Sequence, residues 1–203
     1  MKAVNYLLML AGFYLLVSCG DGKVSDRVIE DTGNALLTLG GTAPDQAAYK
    51  AAYLPIGDVT FDESATIKYG SVGERNLKME QFLALQEAGL ITVEQRERVG
   101  AIVGLTPEGE KYLKGTPLKQ GSVAFVAMRG ANEKVGKVIS KEYVGENKGY
   151  AHYTVVLTNI TPFGKILENF KEGDIVIENE TMELIKDKEG KWKPYTVLDY
   201  MAK

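Results

Sequence analysis

The chain has very few of the side chains that most often carry chemistry. Its 203 residues include one Cys, one His and one Trp. A single Cys cannot form a disulfide within the chain, which excludes a disulfide-stapled scaffold. A zinc site built from Cys and His needs about four ligands, so the composition argues against one. We therefore predict neither a metal nor a cofactor.

The balance of charge is slightly acidic. There are 24 basic and 27 acidic residues, which give a net charge of −3 and a pI near 5.4. An acidic pI argues against a general nucleic-acid binder. Hydrophobic residues make up 45% of the chain and charged residues 25%, which is typical of globular proteins and argues against disorder.

Residues 1–18 are predicted to be a signal peptide. Lys2 supplies a minimal basic start, and the residues from Val4 to Val17 are apolar except for Asn5 and the small Gly12. As a helix, this run of 14 residues would span only about 21 Å, which is less than the ~30 Å hydrocarbon core of a bilayer. A signal-peptide apolar region of about 7–15 residues is the better interpretation.

The apolar run ends in Leu16, Val17, Ser18 and Cys19, which resemble the lipobox of bacterial lipoproteins. The resemblance implies cleavage before Cys19, a lipid on its sulfur and acylation, as with palmitate, of the new amine. It also implies a lipid anchor in the bacterial cell envelope. In enterobacterial lipoproteins, an Asp directly after the cysteine resembles a signal for retention at the inner membrane. This chain has Gly20 at that position, so the resemblance implies the outer membrane. The alternatives are an uncleaved anchor or a buried helix.

The rest of the chain divides into three predicted segments. Residues 19–43 begin with many Gly, Asp, Thr and Ser residues and are predicted to be a lipid-anchored tether. Residues 44–115 are predicted to form a helical, winged-helix-like unit, and residues 116–203 a β-rich unit. Within the second segment, residues 44–54 are rich in Ala and favour a short helix that Pro55 ends.

A helix followed by a hairpin is predicted within residues 71–115. The helix runs to about Ala88 from a cap at Ser71 or Asn76. Gly89 then provides a left-handed stop, and Leu90 folds back on Leu85 as in a Schellman motif.

Residues 91–105 are predicted to form the hairpin, and Thr106 with Pro107 to begin another helix. This order resembles a winged helix-turn-helix, a resemblance that implies shape only. The alternative is a second short helix from Thr92, which can form a capping box.

The final segment has the alternating pattern of strands. Pro194 predicts an edge strand, and residues 187–190 a hairpin turn. The predicted elements are strands at 122–129, 134–144, 150–160, 174–178, 181–186 and 191–197, with a helix at 162–170. The predicted fold class is α+β, with a winged-helix-like N-terminal unit followed by an antiparallel sheet of about five strands and one short helix.

Candidate catalytic groups are scattered. His152 alternates with Tyr150 and Thr154 on the more polar strand face, so we predict a surface histidine instead of a triad member.

The residues from Gly130 to Lys137 have the wrong spacing for a phosphate loop and predict a turn. The aromatics concentrated in the C-terminal half are assigned to the core, with an interface as the alternative: Tyr143, Tyr150, Tyr153, Phe163, Phe170, Trp192, Tyr195 and Tyr200. Two acidic groups lack calcium-loop spacing but leave a spatial carboxylate pair open: Asp58, Asp62, Glu63 and Glu178, Glu180, Glu183.

The winged-helix resemblance does not predict DNA binding. Residues 66–115 contain seven basic and seven acidic side chains, so the segment gains little from neutralising phosphates. We predict a non-enzymatic, lipid-anchored binding or scaffolding module with the membrane, and an envelope protein, as partners. The alternatives are a carboxylate-dependent hydrolase acting on envelope glycans and an envelope sensor or regulator.

Overall fold

The chain folds into two compact units, and each unit is built from separate stretches of the sequence that alternate along the chain. The computed structural model describes residues 23–39, 48–60, 77–96, 100–120 and 123–196. We name the units the central unit, with described residues from 48 to 133 and 157–174, and the terminal unit, with 23–39, 134–156 and 175–196. This division differs from the boundary predicted at residue 115.

The described elements confirm an α+β class with an antiparallel sheet. The helices are α1 (Asp26–Leu39), α2 (Met79–Glu87), α3 (Pro107–Glu110) and α4 (Pro162–Glu168). The strands are β1 (Tyr49–Thr60), β2 (Ile91–Arg96), β3 (Gly100–Leu105), β4 (Leu113–Gln120), β5 (Val123–Val144), β6 (Lys148–Thr158), β7 (Ile175–Lys186) and β8 (Trp192–Pro194).

In the central unit, the strand order is β2-β3-β1-β5, and β4 also pairs with β5. Helices α2 and α4 contribute buried side chains to its core. Burying large apolar side chains such as these contributes about 1.5–3 kcal/mol each. The largest fully buried members are Leu54, Phe82, Leu85, Ile91, Met128 and Phe163.

Helix α2 ends in the predicted Schellman motif. The N–H of Leu90 donates to the carbonyl of Leu85 at 3.0 Å, and the N–H of Gly89 donates to that of Gln86 at 2.8 Å. Gly89 has a φ of +73°, a conformation that glycine adopts without the steric cost of a Cβ. Leu85 and Leu90 are both buried, so the end of the helix also brings two leucines into the same hydrophobic core.

The hairpin after α2 is also present. β2 and β3 pair from Ile91 opposite Leu105 to Arg96 opposite Gly100, so the alternative helix from Thr92 is wrong. β3 pairs on its other side with β1, which makes the hairpin part of a larger sheet. Thr106 caps α3 as predicted, because its hydroxyl oxygen accepts the N–H of Gly109 at 3.1 Å. These elements alone do not establish a winged helix.

The helix predicted over 44–54 is wrong for its described part, which belongs to strand β1. Backbone pairing with β5, from Tyr49 to Gly57, overrides the helix preference of the alanines. Pro55 does not end the element, because it lies opposite Phe125 of β5 and the strand continues to Thr60.

The terminal unit consists of helix α1, the second half of β5 and strands β6, β7 and β8. Residues 26–39 thus form a helix where the sequence predicts a tether. β8 ends the strand order, which confirms the edge position of Pro194. The predicted turn at 187–190 is confirmed, because the Asp187 carboxylate accepts the N–H groups of Glu189 and Lys191 at 2.9 Å each.

The turn predicted over 130–137 is wrong, because these residues continue strand β5 without interruption. Helix α4 begins against this strand in the central unit. The Thr161 hydroxyl donates to the carbonyl of Arg129 at 2.6 Å and accepts the N–H of Gly164 at 3.2 Å. A Cβ on Gly164 would overlap the carbonyl oxygen of Gly130, so only glycine allows this close approach.

We expect Gly164→Ala to destabilise the protein by roughly 1–3 kcal/mol, because the overlap is with backbone that cannot rotate away. Helix propensity alone predicts the opposite, because replacing Gly with Ala in a helix raises the free energy of unfolding by about 1 kcal/mol. Urea denaturation measures the difference, with Lys165→Ala on the exposed face of the same helix as the control. A Gly164→Ala protein more stable than the natural one would show that the backbone around Gly130 moves to accept the methyl group.

Candidate functional site

The start of helix α1 is hydrogen-bonded to side chains of strand β5. The predicted lipobox residues, Leu16 to Cys19, lie outside the described residues. The N–H of Val24 donates to the hydroxyl of Tyr143 at 3.3 Å. The ammonium of Lys141 donates to the carbonyl of Val24 at 2.9 Å and to the carboxylate of Asp26 at 2.7 Å. Two side chains of β5 therefore hold the chain five residues after Cys19.

An aromatic pair lies at the same place. The rings of Tyr143 and Trp192 have centroids 4.7 Å apart and are tilted by 59°. The ammonium of Lys23 lies 5.9 Å from the centre of the tyrosine ring, and that of Lys186 lies 5.4 Å from the centre of the Trp192 ring. These are cation–π distances. We call Lys23, Tyr143, Lys186 and Trp192 the aromatic–lysine surface.

Helix α1 packs closely on the strands of its unit. A Cβ on Gly33 would lie 2.6 Å from Cγ2 of Val135, so glycine allows the helix to approach. The amide oxygen of Asn34 accepts the N–H of Val135 at 2.8 Å. Ile29 is fully buried in the core of this unit. The helix is therefore integrated into the fold.

Tyr153 lies in the core of the terminal unit and is 3% exposed. Burial, and secondly the carboxylate of Glu180 on the neighbouring strand, raises the pKa of Tyr153 from 10.0 to about 12. Both causes disfavour the phenolate. The phenol is consequently held neutral in the folded protein well into alkaline solution.

His152 is half-buried and lies on the strand face opposite the buried Ala151 and Tyr153. Its Nδ1 atom lies 3.1 Å from the amide oxygen of Asn179 and 3.1 Å from the hydroxyl of Thr181. Neither neighbour is a carboxylate, so these contacts do not form the histidine–aspartate pair of a catalytic triad.

Two of the acidic residues that the sequence singles out, Asp58 and Glu183, form ion pairs with basic side chains. Asp62 and Glu63 lie outside the described residues. Asp58 pairs with Arg96 at 3.0 Å in the central unit, while Glu183 pairs with Lys148 at 3.3 Å in the terminal unit. Such exposed ion pairs contribute at most about 1 kcal/mol. The contacts of these two carboxylates are those of surface charges.

Among the described residues, no group of three or more His, Cys, Asp or Glu side chains is placed to share a metal ion. Among the helices described, none has the length and apolar character needed to cross a membrane. Comparison of the whole chain with protein-family models, curated proteins and solved structures gives no match.

Sequence reasoning missed how Lys141, Tyr143 and Trp192 combine with the start of α1. Lys141 and Val24 are 117 residues apart, so no local spacing joins them. The available signal was the placement of Tyr143 and Trp192 in strands, which assigned them to the core. Both rings do pack against that core while remaining partly exposed.

Replacing Asn34 with Ala should lower the free energy of unfolding by about 1–2 kcal/mol. The Val135 N–H loses its acceptor, which outweighs the better helix propensity of Ala. Thermal and urea unfolding provide the measurement. Arg27→Ala, whose side chain is 77% exposed on the same helix, is the control and should change stability by under about 0.5 kcal/mol. Equal effects of the two substitutions would contradict the role of Asn34.

The raised pKa of Tyr153 predicts a loss of stability in alkali. Below pH 10 both states keep the phenol protonated, whereas between pH 10 and about 12 the unfolded chain ionises first and is favoured. Tyr153→Phe should therefore make the fall in unfolding free energy across this window shallower. Urea titrations at successive pH values test it, with Tyr150→Phe on the opposite strand face as the control. Superimposable profiles for the natural and Tyr153→Phe proteins would rule the effect out.

Proposed function

We propose that this chain is a lipid-anchored protein of the bacterial cell envelope with a non-enzymatic binding or scaffolding role. The observation that carries the proposal is the basic, apolar and small-residue order that ends at the only Cys of the chain, Cys19. Acylation of Cys19 would anchor the protein stably, because each buried CH₂ contributes about 0.8 kcal/mol and several chains act together. Gly20 favours the outer membrane as the site of the anchor.

The start of helix α1 supports an anchor close to the folded protein. Val24 is held by Tyr143 and Lys141 only five residues after Cys19. Five residue steps span at most about 18 Å, whereas the predicted tether of residues 19–43 could have reached on the order of 80 Å. We therefore propose that the protein is held close to its membrane and not at the end of a long tether.

The side-chain contacts support a binding role better than a catalytic one. His152 contacts an amide and a hydroxyl, and the Asp58 and Glu183 carboxylates form exposed ion pairs. The winged-helix resemblance of residues 71–115 belongs to this proposal as a resemblance of shape, and we propose no activity from it. A segment without net positive charge has little affinity for phosphates, so we propose no nucleic-acid partner.

Substituting Cys19 with Ala tests the anchor. The variant lacks the thiol that receives the lipid, so we expect it to lose incorporation of radiolabelled palmitate and to leave the washed membrane fraction. Ser18→Ala is the matched control, because it keeps a small residue before the cleavage site and the thiol after it. That variant should stay labelled and membrane-bound.

Two results would overturn the proposal. The first is a natural protein that carries no palmitate and retains Met1. The second is a Cys19→Ala protein that remains in the membrane fraction and has the same mass as the natural protein apart from the substitution. That result would indicate an anchor that does not depend on the thiol.

A further inference from the structure

Arg129 of strand β5 differs from the other arginines that the structure describes. Arg27 pairs with a carboxylate at 3.8 Å and Arg96 with another at 3.0 Å. Arg129 is partly buried, and within the described part of the chain its guanidinium has no carboxylate partner. Its contact is with the ring of Tyr112, whose centre lies 5.6 Å from the Cζ atom of Arg129. The central unit therefore presents, among its described residues, a guanidinium that no carboxylate neutralises.

The ring contact leaves the hydrogen-bonding capacity of this guanidinium unused. An arginine side chain carries five N–H donors in a fixed plane and no acceptor. The face of an aromatic ring attracts the positive charge but offers the N–H groups no oxygen lone pair. Taking a charged group out of water is unfavourable unless hydrogen bonds and an opposite charge replace the water. An anion that accepts hydrogen bonds from Arg129 would supply both.

The backbone of Arg129 is held on both of its hydrogen-bonding groups. Its N–H donates to the carbonyl of Tyr112 at 2.7 Å, and its carbonyl accepts the hydroxyl of Thr161 at 2.6 Å. The register between β1 and β5 also shifts beside Arg129, where Gly130 is an extra residue of β5 without a partner in β1. Such a bulge bends the strand and re-aims the side chains next to it. Arg129 is therefore held in place before any ligand arrives, which reduces the entropy that binding would cost.

Small apolar side chains lie beside Arg129 on its face of the sheet. Ala51 of β1 lies directly opposite Arg129, and Ala127 lies two residues before it on the same strand face. Both alanines are partly exposed, whereas their neighbours Ala52 and Met128 are fully buried on the other face. The methyl groups leave room beside the guanidinium for the apolar part of a ligand.

We propose that Arg129 binds the carboxylate of an organic anion whose apolar substituent lies on Ala51 and Ala127. A guanidinium and a carboxylate match in plane and spacing, so they form two parallel charge-assisted hydrogen bonds. Phosphate also accepts from arginine, but the two alanines favour a ligand that carries an apolar group next to its charge. This inference rests on the proposed binding role and gives it a ligand class, and it does not use the lipid anchor.

A titration of the full-length acylated protein in a neutral detergent tests this site, at neutral pH and constant ionic strength. The probe is N-acetylleucine, and NMR follows the Nε–H signal of Arg129, which is assigned by its absence from the Arg129→Lys protein. We expect this signal to shift and to saturate. N-acetylleucinamide lacks the charge and should leave the signal unmoved, and inorganic phosphate lacks the apolar group and should bind more weakly.

Two variants of the site are compared with a matched control by calorimetric titration. Arg129→Lys should weaken binding of N-acetylleucine about tenfold or more, because lysine keeps the charge but loses the pair of parallel bonds. Ala51→Glu places a carboxylate opposite Arg129 and should abolish binding by occupying the guanidinium. The control is Arg96→Lys in the same unit, which should bind as the natural protein does because Arg96 already pairs with Asp58. Circular dichroism confirms that each variant is folded.

The outcomes separate this inference from the proposed function. An unmoved Arg129 signal, or equal affinities of the Arg129→Lys and Arg96→Lys proteins, overturns the site. Binding of phosphate without binding of N-acetylleucine overturns the assignment to an organic carboxylate. Palmitate labelling is measured independently, so a failed titration leaves the anchor intact, and a protein without palmitate overturns the anchor and leaves the Arg129 site standing.

Discussion

The hydrogen bonds that β5 makes to Val24 are the constraint on which the functional interpretation depends. The Tyr143 hydroxyl and the Lys141 ammonium together satisfy the N–H and the carbonyl of one residue just before helix α1. A backbone held at both groups cannot swing as part of a free tether. Tyr143 also belongs to the partly exposed aromatic pair with Trp192, so it connects the start of the helix to that pair. The site is therefore defined by the contacts that hold Val24.

Close backbone approach is the second constraint, and it recurs in both units. In the terminal unit, Gly33 lets α1 approach Val135, and Asn34 then satisfies the strand N–H at the same point. In the central unit, Gly164 lets α4 approach the carbonyl of Gly130. Each helix meets its strand at a glycine, with a polar side chain accepting or donating the hydrogen bond that close packing would otherwise leave unmade.

The elements that sequence reasoning predicted best are those specified by neighbouring residues. Gly89 stops α2, Thr106 caps α3 and Asp187 shapes the last hairpin, and each uses partners no more than five residues away. The predictions that were wrong concern long-range pairing. An alanine-rich stretch became β1 because β5 supplies its hydrogen bonds, and residues 130–137 stayed in β5 despite their glycines.

Residue identity and order account for the lipobox resemblance, the acidic charge, the scarcity of reactive groups and the local starts and stops of helices. These follow from residue identity and short spacing, which act before any tertiary contact forms. Tertiary contacts were needed to make residues 26–39 a packed helix and to bring Lys23, Tyr143, Lys186 and Trp192 to one surface. Val24 and Tyr143 are 119 residues apart, and sequence spacing carries no signal for the contact between the start of α1 and strand β5.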